Sequence, residues 1–585
     1  MSIMETDGKN MEKNQIIELR IEDMLDDGRA FGRYEGCAVF VSGGAVPGDD
    51  VKARVAKAKK SSAEAAVTEI VAASPDRIHA ECTYAGICGG CTMQALSYEA
   101  QKKLKEEQVR AKLKRLGGLE DPKVNKMIGA DTLKYYRNKA VFAVGPHGEV
   151  GFLKGKTHFV MDIDDCLLQT DAAMVCADAL RAFLRQTGVR EITQLTVRTA
   201  FGTGEVMAVL ETDKKDIPKI EKLVEMFDDA VYSLSCDEEG NPAADTQAYS
   251  LESVAMIHKG KCRIIAGKPT INEEVITEDG RSLIFEISPQ SFYQVNPEQM
   301  ERLYDKAAEY ADLKGGETVL DLYCGAGTIG LWLLENLRKK NPEAFEKTRV
   351  IGIESVKPAV LDANRNSVIN GVINTRYICG KAEEELPGMM GLAKLYKWNE
   401  INERVEREPE IRLENADVAV LDPPRAGCAE PLLAAVVQAA PDRIVYVSCD
   451  PGTLARDIKY LTAHGYEFIE ATPVDQFPWT SHIEVVVLLS KGKIMSKSVR
   501  VEFPIEDMNT SGFQFGATYQ NIADWIWEEY GLKVSRLYIS QIKRKCGLEV
   551  GDHYNKSKEE NQRVLQCPPE KEEAIIAALR FFQMI

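Results

Sequence analysis

Between about residues 296 and 492, short apolar runs alternate with segments of helical periodicity. This alternation predicts strand–helix–strand units, which fold into a mostly parallel sheet with helices on both faces. In such sheets, ligands bind at the edge where the carboxyl ends of the strands meet. The residues that end each apolar run are therefore the first candidates for function.

Three of these run ends form a pattern. The stretch "TVLDLYCGAGTIG" leads from a strand into a turn with Gly325 and Gly327, and "RVIGIES" ends at Glu354. The stretch "ADVAVLDPPRAG" ends at Asp422, which opens an Asp-Pro-Pro turn. Glycines let the backbone approach a ligand closely, and an acidic side chain suits ribose hydroxyls. Each feature alone also fits a capping turn or a dinucleotide site, but their order predicts an S-adenosylmethionine-dependent methyltransferase.

The residue after this turn points to methylation of carbon. Amino-group methylases often have an aromatic residue there, whereas this chain has Arg425. C5 of a pyrimidine is a poor nucleophile, and an enzyme activates it by adding a thiolate to C6 and later removing the C5 proton with a base. We therefore look for a reactive cysteine and a nearby general base.

Cys449 is the candidate nucleophile. In "VYVSCDPGTLARD" it follows an apolar strand, while Asp450 and Pro451 open a helix. A helix N-terminus favours thiolate, so we expect a lowered pKa for Cys449. Cys324, inside the glycine turn, is the rival nucleophile.

Glu484 is the candidate base, because "TSHIEVVVLLS" places this acid at the mouth of a buried strand. A carboxylate is costly there unless it is used or paired. His482 is the alternative base.

A second motif lies upstream, in "SPQSFYQVNPEQME". Asn296 is expected to cap a helix, with Gln299 completing a capping box. Phe292 and Gln294 have no such structural explanation, and we predict that they line the cofactor pocket.

The cysteines indicate a metal site. The N-terminus lacks an apolar signal sequence, and no run reaches the roughly 18 apolar residues that a spanning helix needs. We therefore expect a cytoplasmic protein without membrane association, where thiols stay reduced. Cys82, Cys88, Cys91 and Cys166 have spacings that fit zinc, an iron–sulfur cluster or unliganded thiols. The net charge of −17 excludes a wholesale nucleic-acid coat but not a local basic face.

Taken together, the motifs resemble those of the RNA uracil-5-methyltransferases. The matching segments are "SFYQVNP", "LDLYCGAGTIG", "LDPPRAG", "YVSCDPGTLARD" and "TSHIEVVV". The resemblance implies that Cys449 is the nucleophile and Glu484 the base, and that the cofactor contacts Gln294, Tyr323, Gly325, Gly327, Thr328, Glu354 and Asp422. Family members often have Asn at Thr328 and Asp at Lys381, so these two positions depart from the pattern.

The resemblance also implies a substrate and a second cofactor. Residues 15–72 resemble a TRAM domain, an RNA-binding barrel, and the ribosomal branch carries a [4Fe–4S] cluster at the cysteine pattern. The expected substrate is therefore an unstacked or flipped uridine of 23S rRNA, and the expected state is a monomer. Alternatives are a tRNA methylase and a non-catalytic RNA-binding or ribosome-assembly protein. The candidate RNA contacts are Phe292, Arg137, Lys139 and Arg425.

The predicted architecture is α/β, with a Rossmann-like methyltransferase domain as its largest part. The helix at 96–118 is expected to pack on this catalytic domain. The predicted segments are a flexible tail at 1–14, an OB-like barrel at 15–72, a mixed α/β RNA-binding domain with the cysteine site at 73–280, the catalytic domain at 281–492, and an appendage of unknown role at 496–585.

Overall fold

A computed structural model describes most of the chain up to residue 492 and parts of the remainder. The chain forms two compact units that divide mainly near residue 494. Within the described part, no helix is long and apolar enough to cross a membrane. The described residues are 11–59, 61–155, 157–236, 248–277, 280–398, 404–492, 522, 525–526, 530, 532, 534, 536–546 and 568–581.

The N-terminal strands close into a five-stranded barrel in the order β1-β2-β3-β5-β4. Alternate residues of β1 point inward, so Ile17, Leu19 and Ile21 are buried in its core. The tail at residues 1–10 lies outside the described residues, and Met11 already belongs to the barrel core. The OB-like barrel predicted from the sequence is confirmed. Its strands are β1 (Ile16–Met24), β2 (Ala30–Tyr34), β3 (Cys37–Ser42), β4 (Asp50–Ala58) and β5 (Ser62–Ala72).

The central region is a mixed sheet of seven strands in the order β12-β11-β10-β9-β6-β7-β8. Helices α2 and α3 cover one face, where Phe142, Leu180 and Phe227 form part of the core. The elements are α1 (Tyr98–Arg115), β6 (Lys139–Val144), β7 (Val150–Leu153), β8 (Val160–Asp162), α2 (Asp171–Thr187), β9 (Ile192–Thr199), β10 (Glu205–Thr212), α3 (Ile220–Ser233), β11 (Ser250–His258) and β12 (Lys261–Gly267).

The catalytic region begins with a hairpin, β13–β14, and continues into the predicted sheet. Its order is β17-β16-β15-β20-β21-β23-β22, and β23 runs antiparallel to both of its neighbours. Both faces are buried: Leu320 and Leu322 enter one core and Val319 the other. The elements are β13 (Ile271–Ile276), β14 (Ser282–Ile287), α4 (Pro297–Ala311), β15 (Thr318–Leu322), α5 (Thr328–Lys340), α6 (Pro342–Lys347), β16 (Arg349–Glu354), α7 (Lys357–Ile369), β17 (Thr375–Cys379), α8 (Ala382–Met389), β18 (Leu395–Trp398), β19 (Arg404–Arg407), β20 (Val418–Leu421), α9 (Glu430–Ala439), β21 (Arg443–Ser448), α10 (Pro451–Ala463), β22 (Glu467–Val474) and β23 (Glu484–Ser490).

The C-terminal unit has an apolar core of its own. Its described helices are Arg536–Lys545 and Pro569–Phe581. Ile539 and Ile575 are fully buried in that core, beside Leu579.

Helix α1 packs against α10 and β22 of the catalytic sheet. The Lys105 ammonium donates to Asp475 Oδ1 at 2.6 Å, and both side chains are completely buried. Lys105 also donates to the carbonyl of Phe477 at 3.2 Å. The ion pair thus fixes the segment that leads from β22 into β23.

We expect Lys105→Met to lower the free energy of unfolding by about 3–5 kcal/mol, because it leaves the Asp475 carboxylate buried without its counter-ion. Replacing both residues, Lys105→Met with Asp475→Leu, should cost less than the single change. Urea unfolding followed by tryptophan fluorescence measures the effect. The exposed Lys103→Met on the same helix is the control, and equal losses for Lys105→Met and the control would contradict the prediction.

Candidate active site

The antiparallel pairing of β21 with β23 brings the predicted nucleophile and base together. Ser448 lies opposite Val485, so Cys449, which follows Ser448, and Glu484, which precedes Val485, come to the same edge of the sheet, where the charge of Glu484 acts on the thiol. Cys449 is half-buried, and Glu484 is buried. The two groups that sequence motifs placed 35 positions apart are therefore neighbours across the ladder.

The pKa of Cys449 is not lowered in the ligand-free protein, and that expectation is wrong. Burial raises the pKa of the Cys449 thiol to about 12, and the negative charges of Glu484 and Asp422 add to the effect. The N-terminal N–H groups of α10 are already taken, because Asp450 Oδ1 accepts from Gly452 at 2.8 Å and Thr453 at 3.1 Å. The cap that starts the helix thereby competes with the thiolate for these groups.

The predicted cofactor residues line up along the same edge of the sheet. In the parallel ladders, Leu322 of β15 lies beside Ile353 of β16 and Leu421 of β20. The next residue on each strand is Tyr323, Glu354 and Asp422, respectively, so these three residues are adjacent at the carboxyl edge. Tyr323 has a positive φ of 65°, which marks the sharp exit from its strand.

The glycine turn forms an open cradle above this edge. A Cβ built on Gly325 would meet only the Phe292 carbonyl oxygen, at 4.0 Å, whereas one on Gly327 would lie 2.6 Å from the Tyr377 hydroxyl. Gly325 N–H donates to Glu354 Oε2 at 3.1 Å, which fixes that carboxylate at the turn. The positive φ of Gly325, 55°, and the close packing at Gly327 explain why both positions are glycine.

Thr328 lies at the start of α5, and its hydroxyl oxygen is 2.9 Å from the hydroxyl oxygen of Tyr304. Both residues are buried. Tyr304 was not singled out from the sequence, because it reads there as an ordinary apolar-face residue of α4.

Buried carboxyl groups concentrate at this edge. Burial raises the pKa of Asp422 to about 7, with a contribution from the charge of Asp321, and burial likewise raises the pKa of Asp321 to about 7. Burial also raises the pKa of Glu484 well above its ordinary value, and Asp422 adds to the shift. Asp321 accepts from Gly330 N–H at 3.0 Å, while its Oδ1 is buried without a partner. Such an arrangement fits a cationic ligand, whose charge would offset the repulsion.

Four further predicted residues complete the candidate site. The Arg425 guanidinium lies 3.1 Å from His482 Nδ1. Burial lowers the pKa of His482 to about 4, and the charge of Arg425 adds to this, so the imidazole is neutral at physiological pH. Phe292 is 59% exposed, and Gln294 is buried.

The capping prediction for α4 is half right. The Asn296 side chain accepts from Gln299 N–H at 3.3 Å, as expected for the cap. The Gln299 amide does not reach back, because its nitrogen and oxygen are buried without partners. The predicted reciprocal capping box is therefore absent.

The four predicted metal ligands line one cavity of about 270 Å³. Burial raises the pKa of the Cys91 thiol to about 12, with the charge of Cys166 adding to the shift. Within the described ranges, no three or more His, Cys, Asp or Glu side chains are close enough to hold a single metal ion. Arg137 also lines the cavity, and its guanidinium lies 5.9 Å from the centre of the Phe477 ring. The lining cysteines are Cys82, Cys88, Cys91 and Cys166.

Comparison with known proteins agrees with this geometry. The profile of the tRNA (uracil-5-)-methyltransferases matches residues 223–492, and the TRAM domain profile matches residues 11–68. An RNA methyltransferase of Halalkalibacterium halodurans is 36% identical and covers 82% of this chain and 97% of its own. Another, of Caldanaerobacter subterraneus, is 38% identical over 81% of this chain and 98% of its own.

A solved structure has the same fold. The tRNA (uracil-54, C5)-methyltransferase of Pyrococcus abyssi, in complex with S-adenosyl-L-homocysteine, is 24% identical with a TM-score of 0.57. The match covers 81% of this chain and 100% of that one. At this identity the likeness establishes the architecture alone. The curated relatives and the two profiles carry the further conclusion that this chain belongs to the RNA uracil-5-methyltransferase family.

Proposed function

We propose that the protein transfers a methyl group from S-adenosylmethionine to C5 of a uridine in 23S rRNA. The observation that carries the proposal is the pairing of Ser448 with Val485, which brings Cys449 and Glu484 to one edge of the sheet, where the charges of both Glu484 and Asp422 act on the Cys449 thiol. A structural cysteine would need neither the carboxyl group nor the open glycine turn beside it. We expect the protein to act as a monomer in the cytoplasm.

The residues of this edge divide the chemistry between them. Cys449 thiolate adds to C6 of the uracil, and the resulting enolate makes C5 nucleophilic. S-adenosylmethionine supplies the electrophilic methyl group. Glu484 carboxylate then removes the C5 proton, and the C6–sulfur bond breaks to release the thiolate. Phe292 and Arg425 are placed to contact the flipped base and its backbone, and Arg137 and Lys139 to contact the RNA beyond it.

The glycine turn and its neighbours fit the adenosyl ligand. The open space at Gly325 admits it, Glu354 is oriented for its ribose, and the acidic pair of Asp321 and Asp422 suits a sulfonium charge. We assign four further residues to the border of the same cofactor space: Gln294, Tyr323, Gly327 and Thr328.

We further propose that Cys82, Cys88, Cys91 and Cys166 hold a [4Fe–4S] cluster. They line a single cavity, although no three such side chains among the described residues are placed to hold a single metal ion. A four-iron cluster is larger, so its four thiolate ligands lie further apart than those of zinc. Such a cluster would cross-link the segment Cys82–Cys91 to the loop at Cys166.

The barrel and the cysteine set favour the ribosomal substrate, as the resemblance to that branch implies. Methylation of tRNA is the second candidate, because the Pyrococcus abyssi tRNA enzyme shares the fold over its whole length. A non-catalytic role is disfavoured, because it would not require Cys449, Glu484 and Asp422 together.

RNA that contains 5-fluorouridine should form a covalent adduct with the protein and S-adenosylmethionine, because fluorine cannot be removed as a proton. Cys449→Ala should abolish the adduct, whereas Cys379→Ala, an exposed cysteine at the same sheet edge, should leave it intact. Denaturing electrophoresis of 23S rRNA and tRNA transcripts, run in parallel, distinguishes the substrates. An adduct that survives Cys449→Ala, or its absence with both RNAs in the wild type, would refute the proposed mechanism.

Glu484→Gln should accumulate a methylated adduct even with ordinary uridine, because the amide cannot accept the C5 proton. Mass spectrometry of the trapped complex should show RNA linked to Cys449 with one added methyl group. Normal turnover by Glu484→Gln would instead assign the base to another residue.

The affinity for S-adenosylmethionine should fall as the pH drops from 8 to 6. The pKa of Asp422 is raised to about 7, so acid protonates it and removes its attraction for the sulfonium. S-adenosylhomocysteine has no such charge and should depend less on pH. Calorimetric titration at several pH values measures both ligands, and Asp422→Asn should remove the difference. Parallel pH profiles for the two ligands in the wild type would argue against an Asp422–sulfonium contact.

Anaerobically purified protein should contain about four irons per chain, as the cluster stoichiometry requires. Cys91→Ser should lose the iron and the visible charge-transfer band, while Cys236→Ser, a thiol outside the cavity, should keep both. Stoichiometric zinc in place of iron would overturn the assignment.

A further inference from the structure

Two cations, Lys139 and Arg198, face each other on the central sheet, and neither forms an ion pair with a described residue. Lys139 of β6 lies directly opposite Arg198 of β9 in the antiparallel ladder. Arg198 is only 4% exposed, and Lys139 is half-buried. Like charges that oppose each other across a ladder destabilise the sheet, and burial increases the cost.

The surrounding carboxylates do not neutralise this pair. Within the described ranges, neither cation forms an ion pair, and Arg198 Nε is buried without a partner. Two carboxylates contribute an attractive field, Asp362 at Arg198 and Glu211 at Lys139. Asp362 is already hydrogen-bonded to Ser288 and paired with Arg365, while Glu211 accepts from Gln194 at 2.9 Å.

The repulsion between the two cations also affects their protonation. Burial, together with the charge of Arg198, lowers the pKa of Lys139 to about 8. Burial also lowers the pKa of Arg198 to about 10. Both groups still carry most of their charge at neutral pH, so two positive charges that form no ion pair with any described residue lie side by side here.

The pair adjoins the candidate active site. Arg198 Nη2 donates to the Ser291 carbonyl, next to the exposed Phe292. Asn138, the residue before Lys139, donates from its N–H to Val295 and from its side chain to the Gln294 carbonyl, both at 2.9 Å. Arg198 and Asn138 thus hold the segment 291–295 by hydrogen bonds. The Phe292 carbonyl of this segment borders the glycine turn.

We propose that Lys139 and Arg198 together bind one phosphodiester group of the RNA strand, next to the uridine that enters the active site. The inference rests on the proposed function for the identity of the RNA. A phosphodiester accompanies every flipped nucleotide, and its single negative charge, placed between two adjacent cations, would offset their mutual repulsion. Arg198 is thereby added to Lys139 as a partner in one anion site, separate from Arg137 at the cysteine cavity.

The first test uses the protein without RNA. We expect Lys139→Met to raise the midpoint of thermal unfolding, because it removes the repulsion while the aliphatic stem still packs. A purely structural lysine predicts the opposite sign. Lys261→Met, an exposed residue on the outer strand of the same sheet, should leave the midpoint unchanged. A lower midpoint for Lys139→Met than for this control would overturn the anion site.

The second test measures binding of the full chain to an oligouridylate of fixed length at several salt concentrations. Loss of one phosphate contact should reduce the slope of log affinity against log salt by about 0.7. Lys139→Met should show this loss, and Arg198→Gln, which removes the other positive charge of the pair, should match it. Lys261→Met should retain the wild-type slope.

The outcomes separate this inference from the proposed function. An unchanged slope and affinity in Lys139→Met would overturn the phosphate site, even if the fluorouridine adduct forms. A reduced slope without any adduct would support the phosphate site and count against the proposed chemistry. Wild-type affinity that does not depend on salt would overturn the phosphate site outright.

Discussion

The antiparallel course of β23, which lies between β21 and the outermost strand β22 of an otherwise parallel sheet, is the constraint on which the candidate active site depends. Parallel strands deliver the residues after their carboxyl ends, which is how Tyr323, Glu354, Asp422 and Cys449 reach one edge. Glu484 is the first residue of its strand, so it reaches that edge only because β23 runs the other way. A fully parallel sheet would place this carboxyl group at the opposite end, far from the thiol.

The entrance to β23 must then be held in place, and neighbouring regions do this. The buried Lys105–Asp475 pair fixes the start of the segment that precedes Glu484. The Trp479 carbonyl accepts from the N–H groups of Thr92 and Met93, at 3.1 and 2.9 Å. These residues directly follow Cys91, so the proposed cluster and the proposed base, Glu484, are joined by a short hydrogen-bonded path. A cluster at Cys91 would therefore stabilise the geometry of the base as well as the central domain.

The sequence predicted the strand ends well, because buried parallel strands are continuous apolar runs and their exits carry the functional residues. It could not predict register, which depends on pairings between distant segments. The residues around Lys105 in the sequence do not indicate that it pairs with a residue 370 positions away. Lys139 and Arg198 likewise look like ordinary strand residues. The pKa prediction for Cys449 failed for a related reason: the helix start was recognised, but not the burial or the Asp450 cap that offset its effect.

The charges around the site are segregated in a way that suits two different ligands. Asp321, Asp422 and Glu484 make the floor of the edge acidic, where burial alone already disfavours three carboxylates. Lys139 and Arg198 make the neighbouring wall basic. If these acidic and basic side chains served only to stabilise the fold, we would expect them to form ion pairs with one another. Their separation raises the energy of the ligand-free protein at both places, and a cationic cofactor and an anionic RNA backbone would each relieve one of the two costs. Binding energy from both ligands is thereby available to order the site at which Cys449 and Glu484 meet.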